Sequence, residues 1–342
     1  MAKNILVIDS SSVVRRYLVK LLEQEGYSVN SAKDKKEALE QFANKNYSLV
    51  LVDVNMQNGL EIVDEILAKG AYRVLLLNSK SNNDVSMQAL ELGAIDSLTK
   101  PEKSVDIANV AQELVKKVKD SFLIFPQKKR KQLSTFSEHN TKIDTTIEMG
   151  FVLIGASTGG PRLIEQICKT LPQDYPHAVC IVQHMPTDFT ANFARRLNSI
   201  SKVEVLEADN GVELTKARVI IAKGGKHLHI RKKLKKYVAL LAPNTRERFF
   251  VPSVDELFFS AAEVLPLNHV LAVELTGIGD DGADGMVELR KRGAYTLAES
   301  EESAVVYGMP KEAALRGGAV KVLSFNEILD EIIKYGQKNA TL

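Results

Sequence analysis

From one end of the chain to the other, short apolar β-rich runs alternate with stretches of helical periodicity, and that alternation is the strongest constraint on the fold. Runs at residues 5–8, 48–52, 74–77 and 95–98, with a weaker one at 27–31, are interleaved with helical patterns at 13–25, 35–42, 60–68, 84–92 and 105–118. A second series places strands at 152–154, 178–182, 218–222 and 269–275, and helices at 161–169, 189–197, 254–265 and 285–292. Strand, helix and next strand make the unit of a parallel sheet. The spacing therefore predicts an α/β protein throughout: a (βα)5, flavodoxin-like domain followed by a second doubly wound parallel domain. The series is broken at 120–147, where Pro126, the basic run Lys128-Lys129-Arg130-Lys131 and a Ser/Thr-rich stretch form a composition unable to bury enough surface to order itself. Domains are expected at 1–119 and 148–342, joined by a flexible tether, and 342 residues suffice for two cores.

Composition narrows the partners. A net charge of +2 on a chain with 26% charged residues gives no field that would gather nucleic acid. Cys168 and Cys180 have neither metal-ligand spacing nor a disulfide framework to join, which fits a reducing cytoplasm. The amino-terminal residues run directly into the 5–8 strand, and no uninterrupted apolar segment approaches membrane-spanning length. Neither export nor direct membrane insertion is expected.

Open parallel sheets bind ligands beyond the carboxyl ends of their strands, and polar residues collect at those positions here. In the first series they are Asp9, Asp53 and Lys100. In the second, Gly155-Ala156-Ser157-Thr158-Gly159-Gly160-Pro161 reads as strand, tight turn and helix, with proline suited to the first helical turn and Ser157 near unpaired backbone N–H groups. A Gly/Ser turn is also the commonest connection in any α/β domain, so the turn alone leaves a purely structural reading open. His184 follows the 178–182 strand. The loop Thr276-Gly277-Ile278-Gly279-Asp280-Asp281-Gly282-Ala283 follows the 269–275 strand. A serine becomes a useful nucleophile when an imidazole takes its proton and a carboxylate orients that imidazole, and these three strand ends supply the set. Of the other histidines, His139 is in the tether, His177 and His269 begin strands and read as surface or edge residues, and His227 and His229 suit a ribbon at the rim of the site. Spacing leaves Asp280 and Asp281 equally open, one of them a candidate to cap the following helix. Ser253 with Glu256 spells a capping box, and Gly293 suits a helix stop.

Residues 1–119 resemble the receiver domain of two-component response regulators. The resemblance implies phosphorylation of Asp53, in Leu51-Val52-Asp53-Val54-Asn55-Met56, with Asp9 and Asp53 at a Mg²⁺ site and Lys100, in Lys100-Pro101, as the supporting cation. The pattern departs at Ser10, where a second acid is usual, and at Asn78, with Ser79 beside it, where a switch Ser or Thr is usual. The loop Met56-Gln57-Asn58-Gly59 is shorter than the family's and lacks its proline. A degenerate receiver retained as a docking or inhibitory module is the competing expectation.

Residues 150 to about 325 resemble the catalytic domain of the chemotaxis protein-glutamate methylesterases, which are also protein-glutamine deamidases. The shared blocks are 154–161, 181–186 with Phe189-Thr190, 224–228, 252–258, 276–283 and Val305-Val306-Tyr307-Gly308-Met309-Pro310. The resemblance implies Ser157 as nucleophile, His184 as base, Asp281 rather than Asp280 as orienting acid, and oxyanion donors from the backbone near Thr158 and Ile278. Ile278 stands where the family usually has Met, and Lys223 where it has Pro. No cofactor is implied for the esterase. Methyl-accepting chemoreceptors are implied as substrates and a chemotaxis-type histidine kinase as phosphodonor, with the receiver covering the catalytic cleft until Asp53 is phosphorylated. Two other functions compete: a general α/β serine esterase using Ser157…Asp255…His269 in that chain order, and a non-catalytic signalling adaptor built on a dead hydrolase.

Overall fold

The structure, a computed structural model, describes residues 3–70, 72–78, 83–100, 107–122, 149–185, 187 and 189–335. Two compact units divide the chain, Met1–Ser137 and Glu138–Leu342. Beyond Phe122 the expected tether, with its basic run and His139, lies outside the described residues, as do Ser79, Pro101 and Pro186. Among the described residues, no helix is long and apolar enough to cross a membrane.

The first unit runs β1 (Asn4–Ile8), α1 (Ser12–Gln24), β2 (Ser28–Ala32), α2 (Lys35–Asn44), β3 (Leu49–Asp53), α3 (Gly59–Lys69), β4 (Val74–Asn78), α4 (Asn83–Leu92), β5 (Asp96–Thr99) and α5 (Ile107–Ser121). Its sheet is parallel throughout, in the order β2-β1-β3-β4-β5. Every residue of β3 and β4 is buried, the demand that a central parallel strand makes for continuous apolar side chains. Strand order reverses between β1 and β3, where Ile8 pairs with Val52. Asp9 and Asp53 therefore emerge side by side at the switch point.

The second unit begins β6 (Phe151–Ala156), α6 (Gly160–Thr170), β7 (Ala178–Gln183), α7 (Thr190–Ile200), β8 (Glu204–Glu207) and β9 (Arg218–Ile221). An antiparallel ribbon follows, β10 (His227–Lys233) with β11 (Lys236–Ala242), then α8 (Val254–Val264) and β12 (Val270–Glu274). The chain closes with α9 (Ala283–Lys291), β13 (Tyr295–Glu299), α10 (Met309–Leu315), β14 (Lys321–Leu323) and α11 (Phe325–Tyr335). Seven strands form one parallel sheet in the order β14-β13-β12-β6-β7-β9-β8. Its switch point falls between β6 and β12. Helices dock by apolar stripes; α6 buries Leu163, Ile164, Ile167 and Cys168, one turn apart on one face. Each such side chain contributes about 1.5–3 kcal/mol.

Two sequence expectations need correction. His269 does not open a strand; it closes a 3₁₀ turn, Leu267–His269, ahead of β12. His177 is not a surface or edge residue. It is 3% exposed, its Nδ1 accepts the Gly150 N–H (2.7 Å), and its Nε2 lies 2.9 Å from the Tyr335 carbonyl oxygen.

Candidate active site

Glycines shape the turn that carries Ser157. The Ser157 N–H donates to the Thr276 carbonyl (2.9 Å), and its own carbonyl accepts from the Gly160 N–H (2.9 Å) and from Gln183 Nε2 (2.8 Å). Gly159 caps α6 at φ 84°, where a Cβ would also lie 2.6 Å from the Val305 side chain. Pro161 occupies the first helical turn, where its missing N–H costs nothing. On the other side of the serine, a Cβ on Gly277 would come within 2.8 Å of Ser157 Cβ, so only glycine lets the loop after β12 pass this close.

His184 stands one residue beyond β7. Because Ala156 pairs with Gln183 across β6 and β7, His184 falls abreast of Ser157, and its N–H donates to the Ala156 carbonyl (2.9 Å). Its Nε2 is 2.8 Å from Asp281 Oδ2, while its Nδ1 is buried with no partner among the described residues. An ionised carboxylate only accepts, so the proton of the neutral ring belongs on Nε2. Phe250 stacks on the imidazole, 4.0 Å between centroids at 9°.

Asp281 is held from several directions. Ser253 Oγ donates to Oδ1 (2.6 Å), the Val254 N–H to Oδ2 (2.7 Å) and the Asp255 N–H to Oδ1 (3.2 Å). The last two amides belong to the first turn of α8, where the helix dipole favours an anion. Burial alone would push the Asp281 carboxyl up. Hydrogen bonds from His184, Ser253 and Val254 outweigh that and hold it below the ordinary carboxylate value. Asp280 goes elsewhere, to an exposed ion pair with Arg316 (2.5 Å). Neither aspartate side chain caps α9, whose N-cap is Gly282.

One hydroxyl ties the turn after Ser157 to the segment at Val306. Thr276 Oγ1 donates to the Thr158 carbonyl (2.8 Å) and accepts the Val306 N–H (2.8 Å). The Ile278 N–H has no acceptor among the described residues. Asp255 and His269 do not meet Ser157 as a triad: Asp255 accepts the Gly285 N–H (2.8 Å), and His269 lies at the amino end of β12, away from the serine. Burial pushes the Asp255 carboxyl up to about 6.

Around this core the rim is polar. His227 begins the ribbon, with Nδ1 accepting the Ser253 N–H (3.1 Å), while His229 Nε2 is 3.0 Å from Glu256. Glu256 also binds Arg246 and Arg248, so its side chain does not reach back to complete the expected capping box. Only the Ser253 half forms, accepting the Glu256 N–H (3.4 Å). Beneath the site Glu274 is fully buried, neither carboxyl oxygen having a partner among the described residues, in a space left by Gly155 and Gly282. Sequence reasoning missed the parts played by Gln183, Thr276, Phe250 and Glu274, and took Ser253 only as a helix cap. Gln183 and Thr276 sit in strand-end blocks that could have drawn attention. Phe250 and Glu274 carry no such signal.

In the first unit, Lys100 Nζ lies 2.6 Å from Asp9 Oδ2 and 2.5 Å from Asp53 Oδ2. Asp9 also accepts the Ser11 N–H (2.8 Å), and Asp53 the Asn55 N–H (3.0 Å). Burial raises the Asp9 carboxyl, Lys100 offsetting part of the effect. Ser10 is exposed and adds no third anion, and Asn78 is buried. The short loop after β3 is tight: Asn58 is left-handed (φ 62°), and a Cβ on Gly59 would lie 2.6 Å from the Val54 carbonyl oxygen.

Fold and geometry define a two-unit α/β protein that joins an acid-and-lysine cluster on one sheet to a serine, imidazole and carboxylate on another, the equipment of a receiver and a hydrolase. The chain belongs to the CheB methylesterase family, whose model matches residues 152–332, and it also carries a response regulator receiver domain at residues 5–112. It is 38% identical to the protein-glutamate methylesterase/protein-glutamine glutaminase 2 of Carboxydothermus hydrogenoformans, over 96% of this chain and 98% of that one. The Archaeoglobus fulgidus protein-glutamate methylesterase/protein-glutamine glutaminase is 37% identical, covering 97% of each chain. Among solved structures, the Thermotoga maritima CheB methylesterase catalytic domain is 37% identical, with a TM-score of 0.53 over 55% of this chain and 99% of that one.

Proposed function

We propose that this protein hydrolyses the side-chain methyl esters of modified glutamates on methyl-accepting chemoreceptors, and deamidates glutamines there, in chemotaxis-type adaptation in the cytoplasm. The observation carrying the assignment is His184: Nε2 is committed to Asp281, and a buried Nδ1, unpartnered among the described residues, remains at the strand end abreast of Ser157. Ser157 Oγ attacks the ester carbonyl as its proton passes to Nδ1. Asp281, kept ionised by Ser253 and the α8 amides, stabilises the imidazolium. The backbone N–H groups near Thr158 and Ile278 receive the oxyanion. Collapse of the tetrahedral intermediate breaks the bond to methoxide, which leaves as methanol with the Nδ1 proton, or to the amide nitrogen, which leaves as ammonia. Water then gives a proton to Nδ1 and attacks the glutamyl-serine ester. The second collapse frees glutamate and returns the proton to Ser157.

Control rests with the first unit, in which Asp53 accepts phosphate from a histidine kinase of the same pathway. Asp9 and Asp53 supply the carboxylate oxygens that a hard cation takes, and they would hold Mg²⁺ there. When bound, the ion supplies neutralisation of the phosphoryl oxygens. Lys100 bridges both carboxylates and is the chain's own cation for the same charge.

The test is methanol release from a methylated chemoreceptor, with and without a small phosphodonor. Ser157→Ala leaves only the residual turnover of oxyanion stabilisation. Wild-type turnover by that variant would end this account. A receptor assay with full esterase activity but no response to phosphodonor would retain the enzyme and make the first unit a degenerate receiver.

A further inference from the structure

The β10–β11 ribbon starts at the candidate site and ends in a tip of unusual chemistry. Residues Arg231-Lys232-Lys233-Leu234-Lys235-Lys236 place five cations around one leucine. Lys233 pairs with Lys236 across the ribbon, so Leu234-Lys235 is a two-residue turn. Such turns need a left-handed residue and normally use Gly or Asn. Here Leu234 takes the position, at φ 55°, and is 91% exposed. A branched apolar side chain in a disfavoured backbone conformation is thus held out at the apex. Arg231 pairs with Glu263 (3.1 Å), Lys236 with Glu213 (2.7 Å), and Lys232 lies 5.9 Å from the Tyr237 ring centroid. Lys233 and Lys235, flanking the leucine, have no partner among the described residues.

We propose that this tip docks the second unit on an anionic lipid surface, Leu234 entering the headgroup boundary and the lysines meeting lipid phosphates. An apex suits a bilayer better than an acidic polypeptide: a protein partner must provide a pocket for Leu234, whereas a lipid surface receives an apolar point anywhere. Lysines also fit a diffuse field of charge, lacking the planar fork with which arginine reads single carboxylates. Peripheral docking of this kind is distinct from membrane insertion. At the ribbon's other end His227 accepts the Ser253 N–H, and Ser253 donates to Asp281. The docked site would stand on the order of 20 Å from the lipid, the rise of seven strand residues. The docking is independent of the esterase assignment.

The experiment is sedimentation of the full chain with phosphatidylcholine vesicles, with and without phosphatidylglycerol, at low and high salt. Binding is expected only with phosphatidylglycerol and only at low salt. Lys233→Gln with Lys235→Gln lowers the partition coefficient roughly 30-fold, about fivefold per lysine. Leu234→Ser lowers it about tenfold without changing any charge. All three positions are exposed, and unchanged thermal melting verifies folding. Equal binding to both vesicle types overturns the proposal. So does binding that survives all these substitutions, which would place the attraction in the 128–131 basic run. Capture by poly-glutamate that ignores Leu234→Ser, with no vesicle binding, overturns it in favour of an acidic polypeptide.

Discussion

Replacing Glu274 by Gln isolates the cost of a carboxyl group kept in the wrong surroundings. The side chain ends β12 fully buried, with both oxygens unpartnered among the described residues. A Cβ on Gly155 would lie 2.7 Å from Oε1. Burial raises the carboxyl well above its ordinary value, and the charges of Asp281 and Asp255 act in the same direction. The native chain therefore holds a proton that the unfolded chain releases. With the folded value above the unfolded one, the contribution to stability is complete below the ordinary glutamate value of about 4.3 and is lost as pH rises toward the native value. The loss is about 1.4 kcal/mol per pH unit. Gln keeps the shape and cannot titrate. The stability difference, variant minus wild type, is therefore level below about pH 4.3 and grows by about 1.4 kcal/mol per unit above it until the native carboxyl ionises. The measurement is guanidinium unfolding of the full chain from about pH 5 to about pH 8, read by circular dichroism because the chain has no tryptophan, with the transition of the second unit fitted separately. A difference that stays constant with pH refutes the reasoning.

Asp281→Asn should lower turnover by about 10⁴ with the fold intact, read by methanol release and circular dichroism. Ser253→Ala removes a charge-assisted bond to Asp281 and lowers kcat by roughly 10- to 100-fold, with Ser253→Thr recovering most of it; unchanged kcat in the alanine variant would remove Ser253 from the mechanism. Deleting residues 1–147 should raise basal esterase activity and abolish the response to phosphodonor, while equal activity with and without those residues would argue against inhibitory control. Cys168 and Cys180, buried and with thiols pushed up to about 12, should resist alkylation in the native protein and react fully in guanidinium; rapid native labelling would contradict their packing.

The parallel architecture was legible because buried strands leave continuous apolar runs, as at β3, β6 and β7. Edge strands β8 and β14 left no such trace, being short and partly exposed. Ser157 and His184 were visible as polar residues just past apolar runs. The choice between Asp280 and Asp281 was not, since both occupy the same loop. It depends on Ser253 and the first turn of α8, which spacing cannot bring to either carboxylate. The capping box failed for a similar reason: Glu256 is a good reciprocal cap locally, but His229 and two arginines from the ribbon and its following loop claim its oxygens. The buried role of His177 was likewise hidden, because its acceptor Tyr335 is 158 residues away in the chain.

That histidine has a consequence for how such a chain can be assembled by evolution. With Nδ1 accepting from Gly150, the neutral ring donates through Nε2 to Tyr335, fastening the first described residues of the second unit to the end of its last helix; the Tyr175 hydroxyl reinforces the junction at Ile332 (2.8 Å). Gly150 and Tyr335, near the first and last described residues of this unit, are thus neighbours at the amino edge of the sheet, opposite Ser157. Units whose ends adjoin tolerate insertion, permutation and fusion at either end. Attachment of a further segment next to Gly150 or Tyr335 therefore falls at the end of the strands away from Ser157.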